Sequence, residues 1–435
     1  MNILLVSPKV KFTTKNQALI DFWFNSNETG PYRDLWSGVG SSLLTIAALT
    51  PDEHKIEFID ENVSEINFEK KYDLVGISAM TQQIMRGYQI ADTFRSMRIP
   101  VVFGGIHSTL LPEEVKQRAD SVVIGEAEEV WVQLLEDLKS GNLKPFYHSN
   151  SEVNICKSPV PRFELLKKDA YKLVNIQTSR GCPHDCDYCS ASKIFGKKYR
   201  RKTVEQIMLE IKTAIVHLGN VKIVFSDDNF LVDRKRSVEL LTQLIPLNIK
   251  WHAQSDIAIA DDEQLLLLAK KSGCTFLFIG LESINPDNLK NLDTKNWKYS
   301  KLSKYKENIE KIQSYGIGVM GAFIVGLDSD TKDVFRDLEK FIIDNNLWAA
   351  SVTIMTPFPG TRLWAKLENE KRLIKTDWSE CTGYNVNFIP AKITREELEE
   401  GIVNLYKRIY SNENYQKKIE HFKQIQLGLI KNKII

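Results

Sequence analysis

The chain has 435 residues, 43% of them hydrophobic and 26% charged, with a net charge of +2. This is ordinary globular composition, long enough for two or three domains with cores of their own. The small net charge excludes a single-sign field of the kind that holds nucleic acid or an anionic membrane. Met1-Asn2-Ile3-Leu4-Leu5-Val6-Ser7 reads as a first strand and not as a signal peptide. No uninterrupted apolar stretch reaches the roughly 18 to 20 residues of a membrane span, so a cytoplasmic protein is expected.

Residues 1–145 alternate short apolar runs (2–7, 55–59, 74–78, 101–103 and 121–124) with amphipathic helical patterns (38–49, 85–97 and 126–138). The alternation predicts a doubly wound, Rossmann-like sheet of five parallel strands. Gly and polar residues gather just after several strands, where an open α/β sheet takes ligands. Residues 146–171 read as a linker around Pro159-Val160-Pro161, with Cys156 an isolated thiol. A second alternation fills residues 172–375, with strands expected at 173–178, 222–226, 249–254, 276–281, 319–325 and 351–356. Six βα units make a partial (β/α)6 barrel of TIM type, since a closed barrel needs about eight. Residues 376–435 read as a helical C-terminal extension. Its helix at 394–411 opens on Thr394 and Glu397 in capping-box spacing. The densest cationic run, 197–202, reads as a solvated loop and helix start.

The chemistry concentrates in Ser179-Arg180-Gly181-Cys182-Pro183-His184-Asp185-Cys186-Asp187-Tyr188-Cys189-Ser190. The spacing is Cys-x3-Cys-x2-Cys, on a loop that leaves the carboxyl end of the first barrel strand. Six cysteines are too few for a disulfide framework in a chain this long, and three within eight residues point to metal. Thiolates suit iron–sulfur clusters. Three of them can hold three irons of a cubane and leave one corner open. Structural zinc is the competing reading, but it wants four protein ligands. His184 lies between two of the cysteines and would strain a tetrahedron. A four-thiolate electron carrier needs a fourth cysteine, and Cys156, Cys274 and Cys381 all lie outside the motif.

With Tyr188 before its third cysteine, the motif resembles the signature of the radical S-adenosylmethionine (SAM) superfamily. The resemblance implies a [4Fe–4S] cluster on Cys182, Cys186 and Cys189. Its open iron is chelated by SAM, which is cleaved reductively to a 5′-deoxyadenosyl radical. The resemblance also implies SAM contacts from Tyr188, from Ser226 and Asp227 after the second strand, and from Gln254 and Ser255 after the third. Glu282 follows the fourth strand, and Ile324 lies near the adenine. No catalytic residue is assigned.

The first domain resembles the cobalamin-binding class of these enzymes. The matching pieces are Val75-Gly76-Ile77-Ser78, the run 101–109 with Pro112-Glu113-Glu114, and Val123-Ile124-Gly125-Glu126-Ala127-Glu128. The implied cobalamin contacts are Ser7, Ser78, Thr81, Gly104, Gly105, His107, Ser108, Gly125 and Glu126. His107 is read as a loop histidine that contacts cobalamin or substrate, since two glycines precede it, and Gly125-Glu126 as the opening of a helix. The place after the first strand, where many cobalamin proteins carry a histidine for cobalt, reads Ser7-Pro8-Lys9. Asp52-Glu53-His54 is read as turn chemistry, so cobalamin is expected without protein histidine on the metal.

The expected activity is methyl transfer to an unactivated carbon of a small-molecule biosynthetic intermediate. Electrons come from a reducing partner such as flavodoxin or ferredoxin, with no nucleic acid and no membrane involved. A radical cyclase, ring-forming oxidase or rearrangement enzyme on the same scaffold is the alternative. A methylthiotransferase fits less well, because that class carries further cysteines in its first domain and residues 1–150 have none.

Overall fold

The computed structural model describes residues 1–10, 14–25, 29, 40–149 and 152–428. The beginning of the helix expected at 38–49 lies outside the described residues. The rest of it forms Ser42–Leu49. Six strands, β1 (Asn2–Ser7), β2 (Lys55–Asp60), β3 (Leu74–Ser78), β4 (Val101–Gly104), β5 (Ser121–Ile124) and β6 (Phe146–His148), build the first sheet. It is parallel throughout, in the order β2-β1-β3-β4-β5-β6. Strand β1 is apolar from Ile3 to Val6 because both its faces are covered. Leu4 and Val6 join one core with Ile77, Ile84 and Phe103. Ile3 and Leu5 join another with Val102, Trp131 and Leu134. The order reverses between β1 and β3, and a doubly wound sheet opens its ligand crevice there. The sixth strand corrects the expected five. Phe146–His148 lies where the linker was expected, and three residues are too few to display a period.

The second half contains β7 (Leu173–Ile176), β8 (Ser179–Arg180), β9 (Arg200–Arg201), β10 (Lys222–Phe225), β11 (Trp251–Ser255), β12 (Cys274–Glu282), β13 (Gly318–Val325) and β14 (Ala349–Ile354). Six of these form a parallel partial barrel in the order β7-β10-β11-β12-β13-β14, and β8 with β9 makes a separate antiparallel ribbon. Near the carboxyl ends, one residue or two on each barrel strand stay partly or fully exposed between buried neighbours: Asn175, Val224, Gln254, Phe278 with Gly280, Ala322 with Ile324, and Thr353. These positions share one face of the sheet and ring the mouth of the barrel. Deeper inside, His252 stacks on Phe276 at 4.4 Å and Phe276 on Trp348 at 4.5 Å, closing the floor. Burial holds the His252 imidazole down at about 4, with Lys222 adding to it, so the ring is neutral.

An open barrel must deal with its edge strand, whose free backbone groups otherwise recruit another chain. In β14 two tyrosines of the helix Arg395–Ile409 and its C-cap do this. The Tyr406 hydroxyl accepts from the Val352 N–H (2.9 Å) and donates to the Val352 carbonyl (2.8 Å). Tyr410 does the same at Ala350, at 3.1 and 2.9 Å. The helix opens on the expected capping box, with Thr394 N–H to Glu397 at 2.9 Å and Glu397 N–H to Thr394 Oγ1 at 3.1 Å. The early helix Gln17–Asn25 leaves the first sheet. It buries Leu19 and Phe22 in the barrel's core, with Trp23 edge-on to Tyr406 at 5.1 Å. No described helix is long and apolar enough to cross a membrane.

Replacing Tyr406 with Phe removes one hydroxyl but strands two buried backbone groups. Tyr406→Phe is expected to destabilise the chain by about 1–3 kcal/mol, read as an earlier first transition in urea. An unchanged transition would show that the edge is covered in some other way.

Candidate functional site

The cluster loop leaves the barrel through β8 and returns through β9, so the ribbon closes its base. At its first turn Gly181 has φ +95°, and a Cβ there would collide with the Lys198 carbonyl. Cys182 N–H reaches Gly196 O at 3.4 Å, and Cys189 N–H folds back to Cys186 O at 3.2 Å. Cys186 pairs in an isolated antiparallel bridge with Asp293, and Asp187 N–H donates to Leu292 O at 3.0 Å. Between the first two cysteines, Asp185 takes the left-handed conformation (φ +50°). Its carboxylate receives Lys197 Nζ (2.6 Å), Ser192 Oγ (3.0 Å) and Arg362 Nη1 (3.1 Å). Lys197 first, then Ser192 and Arg362, hold it down at about 2 against burial.

Cys182, Cys186 and Cys189 are free thiols, buried or half-buried. Burial pushes all three up, Cys186 to about 12 and Cys189 to about 11, so metal loading must displace protons. Among the described residues no group of three His, Cys, Asp or Glu is gathered to grip a single ion. The donor chemistry fits a cluster: three sulfurs close enough to act on one another electrostatically, on one short loop beside an open mouth.

The mouth beneath the loop sorts the expected SAM contacts. Ser226, Gln254 and Ile324 are exposed or half-buried on it. Asp227 is buried at 1% exposure and committed elsewhere. Its carboxylate accepts from Thr178 N–H (3.3 Å), Thr178 Oγ1 (2.9 Å) and the Ser179 hydroxyl, fixing the exit of β7. Its neighbour Asp228 is pushed up to about 6 by burial and by Asp227, against a bond from Gly181 N–H. Ser255 is buried and donates to the Asp256 carbonyl at 3.3 Å. Asp256 receives Asn229 Nδ2 at 2.7 Å and lies 3.7 Å from His184 Nε2, while the His184 ring packs on Trp297 at 4.7 Å. His184 is thereby directed at Asp256.

Glu282 ends β12 with φ +64°. Lys298 Nζ, itself buried, donates to Glu282 Oε1 at 2.8 Å and to Gly280 O at 2.9 Å. Burial opposes the ammonium, but Glu282 and Cys186 keep its pKa above the ordinary lysine value. Tyr188 also hydrogen-bonds Glu282, and its hydroxyl is pushed well up by burial and by that carboxylate. Tyr188 and Glu282 are thus brought together, with a lysine that no motif in the sequence announces.

On the first sheet, Ser7, Ser78, Gly104, Gly105 and Gly125 line the carboxyl crest. Gly105 has φ +93°, and a Cβ there would press on Ser78 Oγ at 2.8 Å and Ala79 N at 3.0 Å. A Cβ on Gly125 would meet nothing within 4 Å. This small-residue floor with open space above it fits a large flat cofactor. Ser108 Oγ turns back to Gly104 O at 3.0 Å. Two expectations are corrected. His107 is not on a loop: it lies inside the helix Ile106–Leu110 at 0% exposure. There it sits 3.3 Å from Thr81 Oγ1 and 3.6 Å from Glu114. Glu126 does not open a helix, because the helix starts at Trp131. Glu126 instead receives Arg180 and, at 2.6 Å, Arg200, while Arg180 also reaches Glu128 at 2.6 Å. These ionic bonds outcompete helix formation and join the crest of the first sheet to the residue before Gly181. The solvated reading of 197–202 holds for Lys197, Lys198 and Arg201. It fails for Arg200 and for Lys202, which is buried against Glu210 at 2.5 Å. His54 bonds the Met1 amine at 3.2 Å, at the opposite end of the sheet from the crest.

Comparison with known proteins agrees with this layout. The B12 binding domain family model matches residues 42–135 and the Radical SAM superfamily model residues 176–342. A domain of unknown function matches 361–433. The bacteriochlorophyllide d C-12(1)-methyltransferase of Chlorobaculum tepidum is 28% identical over 389 residues, 87% of this chain and 84% of that protein. The anaerobic magnesium-protoporphyrin IX monomethyl ester cyclase of Cereibacter sphaeroides is 26% identical, covering 88% of this chain and 67% of that protein. The cobalamin-dependent SAM radical enzyme OxsB, solved with aqua-cobalamin and SAM bound, superposes with a TM-score of 0.70. That match covers 98% of this chain and 72% of OxsB at 15% identity, and it shows a shared fold.

Breaking a buried ion pair from one side leaves the other charge without a partner. Lys298→Met is therefore expected to cost about 3–5 kcal/mol, seen as a lower melting temperature of the cofactor-free chain. A melting curve matching the parent would mean that the pair is solvated.

Proposed function

Because the chain belongs to the cobalamin-binding radical SAM enzymes, with a [4Fe–4S] cluster, SAM and cobalamin as cofactors, we propose that it transfers a methyl group to an unactivated carbon of a small-molecule biosynthetic intermediate. Together these cofactors supply a 5′-deoxyadenosyl radical for hydrogen abstraction and a methyl group for transfer. One observation carries the reading. The crest of the first sheet and the mouth of the barrel lie against each other, joined by Arg180 and Arg200 to Glu126 and Glu128. A substrate held between them meets both cofactors without leaving the protein.

The chain's own residues then have distinct tasks. Cys182, Cys186 and Cys189 hold the cluster, and Tyr188 packs the loop against Glu282. Ser226, Gln254, Glu282 and Ile324 line the mouth that takes SAM. Ser7, Ser78, Gly104, Gly105 and Gly125 form the floor for cobalamin, while Thr81 and Ser108 support it from below. Electrons come from a flavodoxin- or ferredoxin-like partner. Ring formation on the same scaffold is the second reading, favoured by the similarity to a named cyclase.

Cys186→Ala is expected to abolish 5′-deoxyadenosine formation after anaerobic reconstitution; an unchanged yield would remove the loop from the reading. With SAM deuterated in its methyl group, mass spectrometry of the product is expected to find that methyl intact. A product lacking it, but cyclised, would decide for the second reading. The full chain is expected to bind hydroxocobalamin, and a colourless protein would remove cobalamin from the account.

A further inference from the structure

We infer that residues 361–388, at the start of the region matched by a domain of unknown function, position the two cofactor sites against each other, with Arg362 holding the cluster loop and Trp378 holding the crest of the first sheet. Arg362 is the first residue of the helix Arg362–Asn369, which Thr361 caps. Its planar fork spans the two aspartates that flank Cys186. Nε donates to Asp187 Oδ1 at 2.7 Å, Nη1 to Asp185 Oδ2 at 3.1 Å, and Nη2 to the Asp185 carbonyl. The next residue adds a main-chain bond, Leu363 N–H to Asp187 O at 3.0 Å. Lysine, a point charge, cannot make three diverging bonds of this kind.

The same helix turns toward the first domain. Trp364 packs on Trp378 with ring centroids 5.7 Å apart. Trp378 Nε1 donates to Glu114 Oε1 at 2.8 Å, and its ring lies edge-on to His107 at 5.2 Å. Glu114 also receives the Tyr88 hydroxyl at 3.0 Å, and His107 adjoins Thr81 just after β3. The stretch beyond Trp378 is braced and not a loose linker. Ile374 N–H reaches Asn387 O at 3.0 Å, Leu373 bridges to Phe388, and Asn385 and Asn387 both donate to the Glu380 carbonyl. One continuous segment therefore touches the loop that carries the cysteines and, through His107 and Glu114, the two short helices that follow β4 beside the floor proposed for cobalamin. It does so through contacts separate from the Arg180 cluster. Displacements of about 1 Å matter where two reacting groups must meet, so a second tie between the domains has a direct use. The inference rests on the reading that both cofactor sites serve one reaction.

The test uses the full chain reconstituted with iron, sulfide and hydroxocobalamin, without substrate, so a wrong substrate assignment leaves it intact. Each end of the segment has its own readout. Arg362→Gln is expected to speed iron loss to a chelator about 10–100-fold and to alter the change that SAM makes in the reduced cluster's paramagnetic resonance spectrum. Its hydroxocobalamin affinity is expected to stay at the parent value. Arg362→Lys restores the charge without the fork and is expected to rescue little. Trp378→Leu is expected to weaken hydroxocobalamin binding about tenfold and shift its absorption bands, with iron retention unchanged. Trp378→Phe keeps the ring, loses the bond to Glu114, and falls between. If a drastic variant fails to fold, the conservative partner still reads the same contact. Parent-like iron retention and resonance in both Arg362 variants, or parent-like cobalamin affinity and absorption in both Trp378 variants, would overturn the inference.

Discussion

Everything at this site depends on keeping a cysteine-bearing loop in one shape over an open barrel mouth. The means is charge buried at the loop's base. Arg180 immediately precedes Gly181, and its guanidinium is shared between Glu126 and Glu128 of the other domain. Burial works against this cation, and the two carboxylates hold its pKa above the ordinary arginine value. Three poorly solvated charges are costly unless all are satisfied. They tolerate one geometry and penalise the rest. The interaction contributes specificity of placement more than net stability.

Acids crowd the loop for the same physical reason. The carboxylates of Asp185 and Asp187 are taken up by partners within the protein. Each accepts bonds from Arg362, and Asp185 from Lys197 and Ser192 as well. Asp227 spends its carboxylate on the exit of β7. The acidic side chains around the thiols are thus spent on bonds within the protein.

The missing barrel strands pose a different problem, solved with hydroxyl groups. Tyr406 and Tyr410 satisfy both backbone groups of Val352 and Ala350 on β14. A neighbouring strand would have done this in a closed barrel. The helix Arg395–Ile409 is therefore a part of the barrel wall, and the early helix Gln17–Asn25 packs onto it with Phe22 and Trp23. The division into successive domains along the chain is crossed twice by these contacts.

The strand and helix periods, the Cys-x3-Cys-x2-Cys spacing and the Thr394–Glu397 cap were legible in the chain because each is a local pattern with one physical meaning. From those, the amino-acid sequence by itself determined two parallel sheets in order, a helical end, and three thiols at a strand exit. Only the tertiary structure decided where charges found partners. Lys298 meets Glu282 across 16 residues, Arg200 meets Glu126 across 74, and Arg362 meets Asp185 across 177. Glu126 and His107 departed from expectation for the same reason: an ion pair or a buried ring contact is set by distance in space, on which local pattern is silent.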